Sequence, residues 1–490
     1  MLKPILLLGL LGIAPSSYAD EALLEFIYTP ELETVDAQTA RAINDELRDG
    51  RYDAAVDLST LLIDRHIGRN NDKTYSNTIS GQLMINQGIL QFTAGDGLTS
   101  LETVTKGLAL FEERTNPFSL SLVSALMAKG LVEGHLDKWV EAEDSFRRAQ
   151  HIVHRHDGVY SDQQIDILFQ LTKSSMRLGD PMGADKQQTF ILRVAEQAYG
   201  AKSEELLPII DQVARYFSIR SYSVPPSSNV DVVKHRDRLF RRSVALYKQS
   251  IEIIEQTYGE NDLRLLKPLR GLGRIRLQHV SSRSRAEDVF IRARQIVEDH
   301  PASDALDRAR AIVDVGDLYT MMREPEKAEE AYLEVWALLK TNEDNMSAAN
   351  LMFGNPVRLH PQQKEVIYLE RTPDAAKNGE ALHASLSFLV DTAGRVRNIE
   401  ILSKNVPNEP LRSLRRETLR TLYRPRIEEG EIVATEGLVL HQQYRARVKT
   451  EAPVLEESTT EESPPKEGTP QEPPLEISTP DVNLLEVSSP

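Results

Sequence analysis

RAIVDVGDLYTMMREPEKAEEAYLEVWALL, Arg310–Leu339, reads as two amphipathic helices joined by a short turn. Gly316 and Tyr319 fall on the first helix, and Ala328, Tyr332 and Val335 on the second. The spacing is Gly-x2-Tyr, eight residues, then Ala-x3-aromatic-x2-small. The Gly-to-Ala part recurs in Gly130, Ala142, Phe146 and Ala149, and the second-helix part in Ala286, Phe290 and Ala293. A weaker copy lies at Gly50-Arg-Tyr52 with Ala55 behind it. Packing dictates the residue types. Small residues such as Gly316 and Ala328 let two helices approach, and an aromatic such as Tyr332 or Phe146 fills the space between adjacent pairs. One pair cannot bury its own apolar stripe, so neighbouring pairs must stack into a continuous core.

These residues resemble the tetratricopeptide repeat, a helix–turn–helix unit of about 34 residues. The resemblance implies a TPR-like α-solenoid over residues 20–345, whose concave surface serves a protein partner. Ala286 and Ala328 are 42 residues apart, longer than the standard unit. Tyr199-Gly200 and Tyr258-Gly259, each followed by Leu-Leu and a Pro, read as related units with extended turns. Ser221–Asn229, SYSVPPSSN, reads as an exposed loop.

Beyond a linker at 346–362, in which Met346–Asn355 is short and unpatterned, the periodicity changes. In Gly379–Asp391, GEALHASLSFLVD, Leu382, Ala384, Leu386, Phe388 and Val390 alternate with mostly polar residues, as in a half-buried strand. Asp391-Thr-Ala-Gly394 suits a tight hairpin turn, and Arg395–Ser403 a second strand. Leu411, Leu414, Thr418, Leu419 and Leu422 recur at helical spacing until Tyr423-Arg-Pro425, and Leu438, Leu440, Tyr444, Ala446 and Val448 alternate again. The order strand, hairpin, strand, helix, turn, strand, with V-D-x-x-G-R-V and Y-R-P, resembles the C-terminal domain of TonB-family proteins. The resemblance covers residues 363–449. It implies a small α+β domain with an antiparallel three-stranded sheet, whose last strand is an edge that pairs with an extended segment of an outer-membrane protein. Leu438, Leu440, Gln442 and Tyr444 are then the partner-binding residues on that strand.

Met1-Leu-Lys3, the apolar run Ile5–Ala14 and Ser17-Tyr-Ala19 describe a cleavable signal peptide over residues 1–19. The run is about half of what a bilayer crossing needs. With the TonB-like domain, the signal places the chain in the periplasm of a Gram-negative bacterium. The absence of cysteine excludes disulfides, thiol catalysis and cysteine-ligated metal. The net charge of −16 is uneven: residues 451–490 hold ten acidic residues and one Lys, whereas 371–449 hold fourteen basic and ten acidic. The acidic balance argues against nucleic acid as a partner. Residues 450–490, rich in Pro, Glu, Ser and Thr, have the composition of a disordered tail.

No catalytic signature, metal-ligand set or cofactor motif stands out, so an enzymatic role is not expected. His151, His154 and His156 lack a carboxylate to complete a metal site and read as the polar end of a helix. Gly271-Leu-Gly273 lies in a helical segment and reads as close packing. Arg412, Arg415, Arg416 and Arg420, with Arg424 and Arg426 beyond, make a basic stripe suited to a solvated face, an acidic surface on an outer-membrane protein, an anionic envelope polymer, or the chain's own acidic tail in cis. The expected function is a non-enzymatic adaptor binding envelope proteins through a groove and an edge strand. The alternatives are an energy transducer with an uncleaved N-terminal anchor, coupled to outer-membrane transport; an enzyme or activating factor for envelope polymers; and a structural role in which the C-terminal domain only caps the array.

Overall fold

The computed structural model describes residues 23–69, 73–224, 227–279, 282–341, 343–359, 366–369 and 381–446. The expected signal peptide, residues 1–19, and the expected disordered tail, residues 450–490, lie outside the described residues. Helices α1 (Thr34–Arg48) to α14 (Pro325–Leu339) pair in sequence into helical hairpins. They are α1/α2 (Tyr52–Arg69), α3 (Lys73–Thr93)/α4 (Gly97–Glu112), α5 (Leu122–His135)/α6 (Trp139–Asp157), α7 (Ile165–Arg177)/α8 (Pro181–Tyr199), α9 (Leu207–Ser223)/α10 (Val230–Tyr258), α11 (Leu266–Gln278)/α12 (Ser284–Asp299) and α13 (Ala305–Met322)/α14. Each hairpin also packs on the next, which makes a TPR-like solenoid.

The 42-residue spacing that looked exceptional in the sequence is a recurring period. Gly88, Gly130 and Thr172 follow one another at that interval, and so do Gly95, Asp137 and Gly179, which turn each hairpin with positive φ. A Cβ at Gly130 would lie 2.5 Å from the Phe146 ring, and one at Gly316 2.5 Å from the Tyr332 ring. The aromatic thus sits over the glycine of its own hairpin. Gly273 faces Phe290 and Gly271 faces Tyr247, which shows why the Gly-x-Gly pair belongs inside a helix. In α7/α8 the same place holds a polar pair, with the buried Gln188 Nε2 donating to Thr172 Oγ1 at 3.2 Å. Connections between hairpins repeat as well. Gly158, Gly200 and Gly259 end α6, α8 and α10 with positive φ, and Ser161, Ser203 and Asp262 then cap the 3-10 turns that lead into α7, α9 and α11. The segment read as a loop at Ser221–Asn229 is helical as far as Ser223, and Asn229 caps α10.

Where an unpatterned linker was expected, α15 (Glu343–Phe353) continues the array. Ala349 and Phe353 are fully buried, one turn apart, against Tyr332 and Val335. An eleven-residue helix with so narrow an apolar face leaves little periodicity to read. The β-structure then starts at β1 (Val357–Arg358), inside the expected linker. It continues with β2 (Val366–Leu369), β3 (Leu382–Val390), β4 (Val396–Lys404), helix α16 (Asn408–Arg420), β5 (Tyr423–Arg424), β6 (Arg426–Glu428), β7 (Glu431–Val433) and β8 (Thr435–Ala446). The expected antiparallel set β4-β3-β8 is present, but the sheet has a fourth strand. Its order is β2-β8-β3-β4, and β2 runs parallel to β8. Helix α16 ends at Arg420, before Tyr423-Arg-Pro425, because Tyr423 and Arg424 already pair with β1 as a strand. Leu422 therefore leaves the helical stripe and packs with Phe290, Leu318 and Met321 of the array.

This junction joins the two parts. Ile427 and Ile432 of the β6/β7 hairpin pack with Tyr332, Val335 and Phe353. Gln278 Nε2 donates to Leu359 O at 2.7 Å, and Leu359 N donates to Leu422 O at 2.9 Å. The sheet itself has its own core, in which Leu411 and Leu414 of α16 cover Leu382, Ala384, Leu386 and Tyr444.

Candidate functional site

The early turns of α9, α11 and α13 and the later half of α10 enclose a cavity of about 490 Å3. Leu207, Pro208 and Asp211 come from α9, Tyr247, Ser250 and Ile254 from α10, Lys267, Pro268 and Arg270 from α11, and Asp307 and Arg310 from α13. The walls are apolar and the charges are held in pairs. Lys267 Nζ is 3.0 Å from Asp211 Oδ2, and Arg310 is 3.8 Å from Asp307. Arg264, also on the wall, bonds Asp262 at 3.0 Å and stacks 3.8 Å above the Tyr258 ring. Apolar walls with fixed charges of both signs suit a polypeptide segment that inserts an apolar side chain.

Deeper along the same helices the charge pairs continue into the C-terminal module. Arg270 and Arg274 of α11 both bond Asp314 of α13, which is 1 % exposed, with Arg274 Nη2 at 2.8 Å. One turn further, Asp317 receives a two-pronged contact from Arg424 of β5, with Nε at 2.9 Å and Nη2 at 2.7 Å. Arg424 Nη1 also donates to Met352 O, and Tyr332 Oη donates to Asp317. Burial would lower the Arg424 pKa, but the Asp317 carboxylate outweighs it and raises the value. Burial pushes the Tyr332 phenol well up, and Asp317 adds to that.

At Asp314, burial would raise the pKa, but Arg274 and Arg270 overcome it and hold the carboxyl below its ordinary 3.8. A carboxyl with a depressed folded-state pKa stabilises the fold above its unfolded pKa, and that contribution disappears as pH falls through the folded value. Stability of the α11–α13 contact should therefore hold from neutrality to about pH 4 and fall below it. Acid unfolding followed by Trp336 fluorescence checks this. Asp314→Asn should lower stability at neutral pH and remove the part of the acid step due to this site.

The second surface is the rim of the sheet. β8 pairs with β3 from Thr435 to Tyr444 on one side. On the other side β2 covers Gln443–Ala446, and Thr435–His441 has no ladder partner there among the described residues. Gly437 has positive φ and the register shifts between Phe388 and Val390, which leaves Leu438–His441 as the regular stretch without an outer ladder partner among the described residues. The opposite rim, β4, carries Arg397, Glu400 and Lys404 and two register shifts, features that discourage pairing. Among the described residues Leu438–His441 carries no charged side chain and no register shift against β3.

The expected partner-binding residues sit in two places. Leu438, Leu440, Gln442 and Tyr444 point to the inner face of the sheet, with Gln442 2 % and Tyr444 4 % exposed. Their backbones, and the outward Val439 and His441, are what a partner strand would meet. Arg412, Arg416 and Arg420, with Arg415, lie together on the solvent face of α16. The structure does not bring that face and the open rim into one site: the helix covers the sheet's inner face, and the rim is its side. His154 bonds Gln164 and His156 bonds Phe118 O, both at 2.6 Å, so these two rings are engaged with loops. Arg424, expected at the end of the basic stripe, is instead buried against Asp317, a carboxylate the spacing did not single out. The signal for Asp317 was its place one turn from Asp314 in the otherwise apolar AIVDVGDLY, where buried carboxylates demand cations.

No protein-family model matches the chain, and no curated protein matches it. Solved structures similar to it include a Podosopora anserina putative kinesin light chain with nearly identical TPR-like repeats, at 10% identity and a TM-score of 0.38, covering 46% of this chain and 99% of that one. Another is BtubC (BKLC) from P. vanneervenii, at 18% identity and 0.35, covering 57% and 97%. A third is the apo quorum sensor NprR from B. thuringiensis, at 11% identity and 0.34, covering 68% and 90%. At these identities and scores the likeness bears on no functional assignment.

Proposed function

We propose that this chain is a non-enzymatic adaptor of the Gram-negative periplasm. It holds one protein segment in the cavity between α9, α10, α11 and α13. It holds a second, an extended segment of an envelope protein, along the open rim of β8. The second binding mode is that of the TonB-like domain to which the C-terminal sequence is similar, with an outer-membrane protein as the partner. The observation that supports the reading is the backbone of Leu438–His441, which has no ladder partner on its outer side among the described residues and pairs with β3 on the other. Unsatisfied amides and carbonyls on a rigid strand offer main-chain hydrogen bonds in a fixed register. Because the module is packed on the last hairpin, the two segments would be held at a defined separation. Among the described residues no helix is long and apolar enough to cross a membrane.

The packing of Leu422, Ile427 and Ile432 on the array also favours a capping role for β5–β7. Capping accounts for those short strands but not for a separate sheet with its own core and an open rim. A photo-crosslinker at Val439 in intact cells separates the two. An adaptor yields one envelope protein joined through a single extended peptide, and amide exchange of Leu438–His441 slows when that peptide is added. A pure cap gives only the background capture seen from Val230, an exposed position on α10.

A further inference from the structure

Helix α16 buries Leu411, Leu414 and Thr418 against the sheet and turns Arg412, Arg415, Arg416 and Arg420 to solvent. Leu419, 51 % exposed, lies among them. The positions follow helical spacing, so the four guanidiniums frame one leucine on a single face. None of the four has a carboxylate within ion-pair distance among the described residues. The one acid on that part of the helix, Glu417, lies 3.6 Å from Arg358. Tyr444 is buried beneath Leu411 and Leu414, two residues before β8 ends. Chain leaving β8 therefore starts beside α16. That chain includes residues 451–490, with ten carboxylates and one lysine, and Val454-Leu455 stand directly before Glu456-Glu457.

We propose that the outer face of α16 is a docking surface for an acidic segment, and that its resident occupant is the chain's own residues 451–490. Charge complementarity selects the occupant, and Leu419 provides an apolar contact for a residue such as Leu455. Single exposed Arg–carboxylate contacts are weak. Tethering next to the helix sets an effective concentration on the order of millimolar, which lets several weak contacts hold together. Any acidic partner segment must displace the tail, so the surface selects against weakly charged competitors. This inference does not depend on the open rim of β8.

The cysteine-free chain permits a direct test in the full-length protein. Ser413→Cys on the exposed side of α16 and Ser463→Cys in the tail take a donor and an acceptor dye. Energy transfer should be high at about 50 mM salt and fall several-fold at about 500 mM, where exposed charges are screened. Arg412→Gln/Arg416→Gln/Arg420→Gln should give the high-salt value throughout, with an unchanged circular dichroism spectrum and melting curve. Equal transfer in both proteins at both salt concentrations would overturn the proposal. Vesicles of anionic phospholipid should bind only when Glu456, Glu457, Glu461 and Glu462 are changed to Gln. Equal binding by the unaltered chain would make lipid phosphate the occupant and overturn it too.

Discussion

Arg424→Ala is expected to cost about 3–5 kcal/mol, because removing one partner leaves a buried charge without compensation. Asp317 would lose both guanidinium contacts while lying next to Tyr332 and beneath the C-terminal module. Met352 O would also lose its donor. The damage should concentrate at the junction. Limited proteolysis should cut between α15 and β3 faster, while the α5–α10 core stays protected. Arg424→Met with Asp317→Leu is the informative control, since replacing both charges with apolar groups of similar volume is often neutral. A double variant that recovers most of the loss assigns the effect to the orphaned carboxylate. A single variant that unfolds within about 1 kcal/mol of the parent would show that apolar contacts of Leu422, Ile427 and Ile432 hold the junction without it.

Tyr332→Ala should cost a similar amount, about 3–5 kcal/mol for a fully buried aromatic. The smaller change Gly316→Ala should also destabilise, by about 1–3 kcal/mol, although alanine is the better helix former. The reason is geometric. The new Cβ would lie 2.5 Å from the Tyr332 ring. The ring cannot slide away, because its hydroxyl is fixed by Thr320 at 2.8 Å and Asp317 at 3.0 Å. Phe290 over Gly273 has no such anchor, so Gly273→Ala should cost less than Gly316→Ala. Denaturant midpoints of the two variants make the comparison. Combining Gly316→Ala with Tyr332→Leu should cost less than the sum of the single changes, since both act on one contact. Equal costs at Gly273 and Gly316 would mean that the hydroxyl anchoring is irrelevant.

Much of this architecture was legible in the residues. Gly130 with Phe146 and Gly316 with Tyr332 announced the hairpins, because a glycine inside a helix is unfavourable unless something needs its space. The alternation of Leu382 to Val390 announced β3, since one face is buried under α16. The open rim was only half legible. Residues 366–369 are too short to carry a period, so the parallel cover on Gln443–Ala446 escaped notice. The four alternate residues of β8 were visible as a set, but not the side they face.

The repeat and the strand pattern follow from local spacing, which records which face of each element is apolar, and so does the charge contrast between the C-terminal domain and the tail. Which charges meet does not follow from spacing. Asp317 and Arg424 are separated by more than a hundred residues, and so are Leu318 and Leu422. They come together because α15 and β1 turn the chain back onto the last hairpin. Whether a strand edge is open depends likewise on where distant backbone runs, a property of the assembled fold and not of any side-chain pattern within the strand.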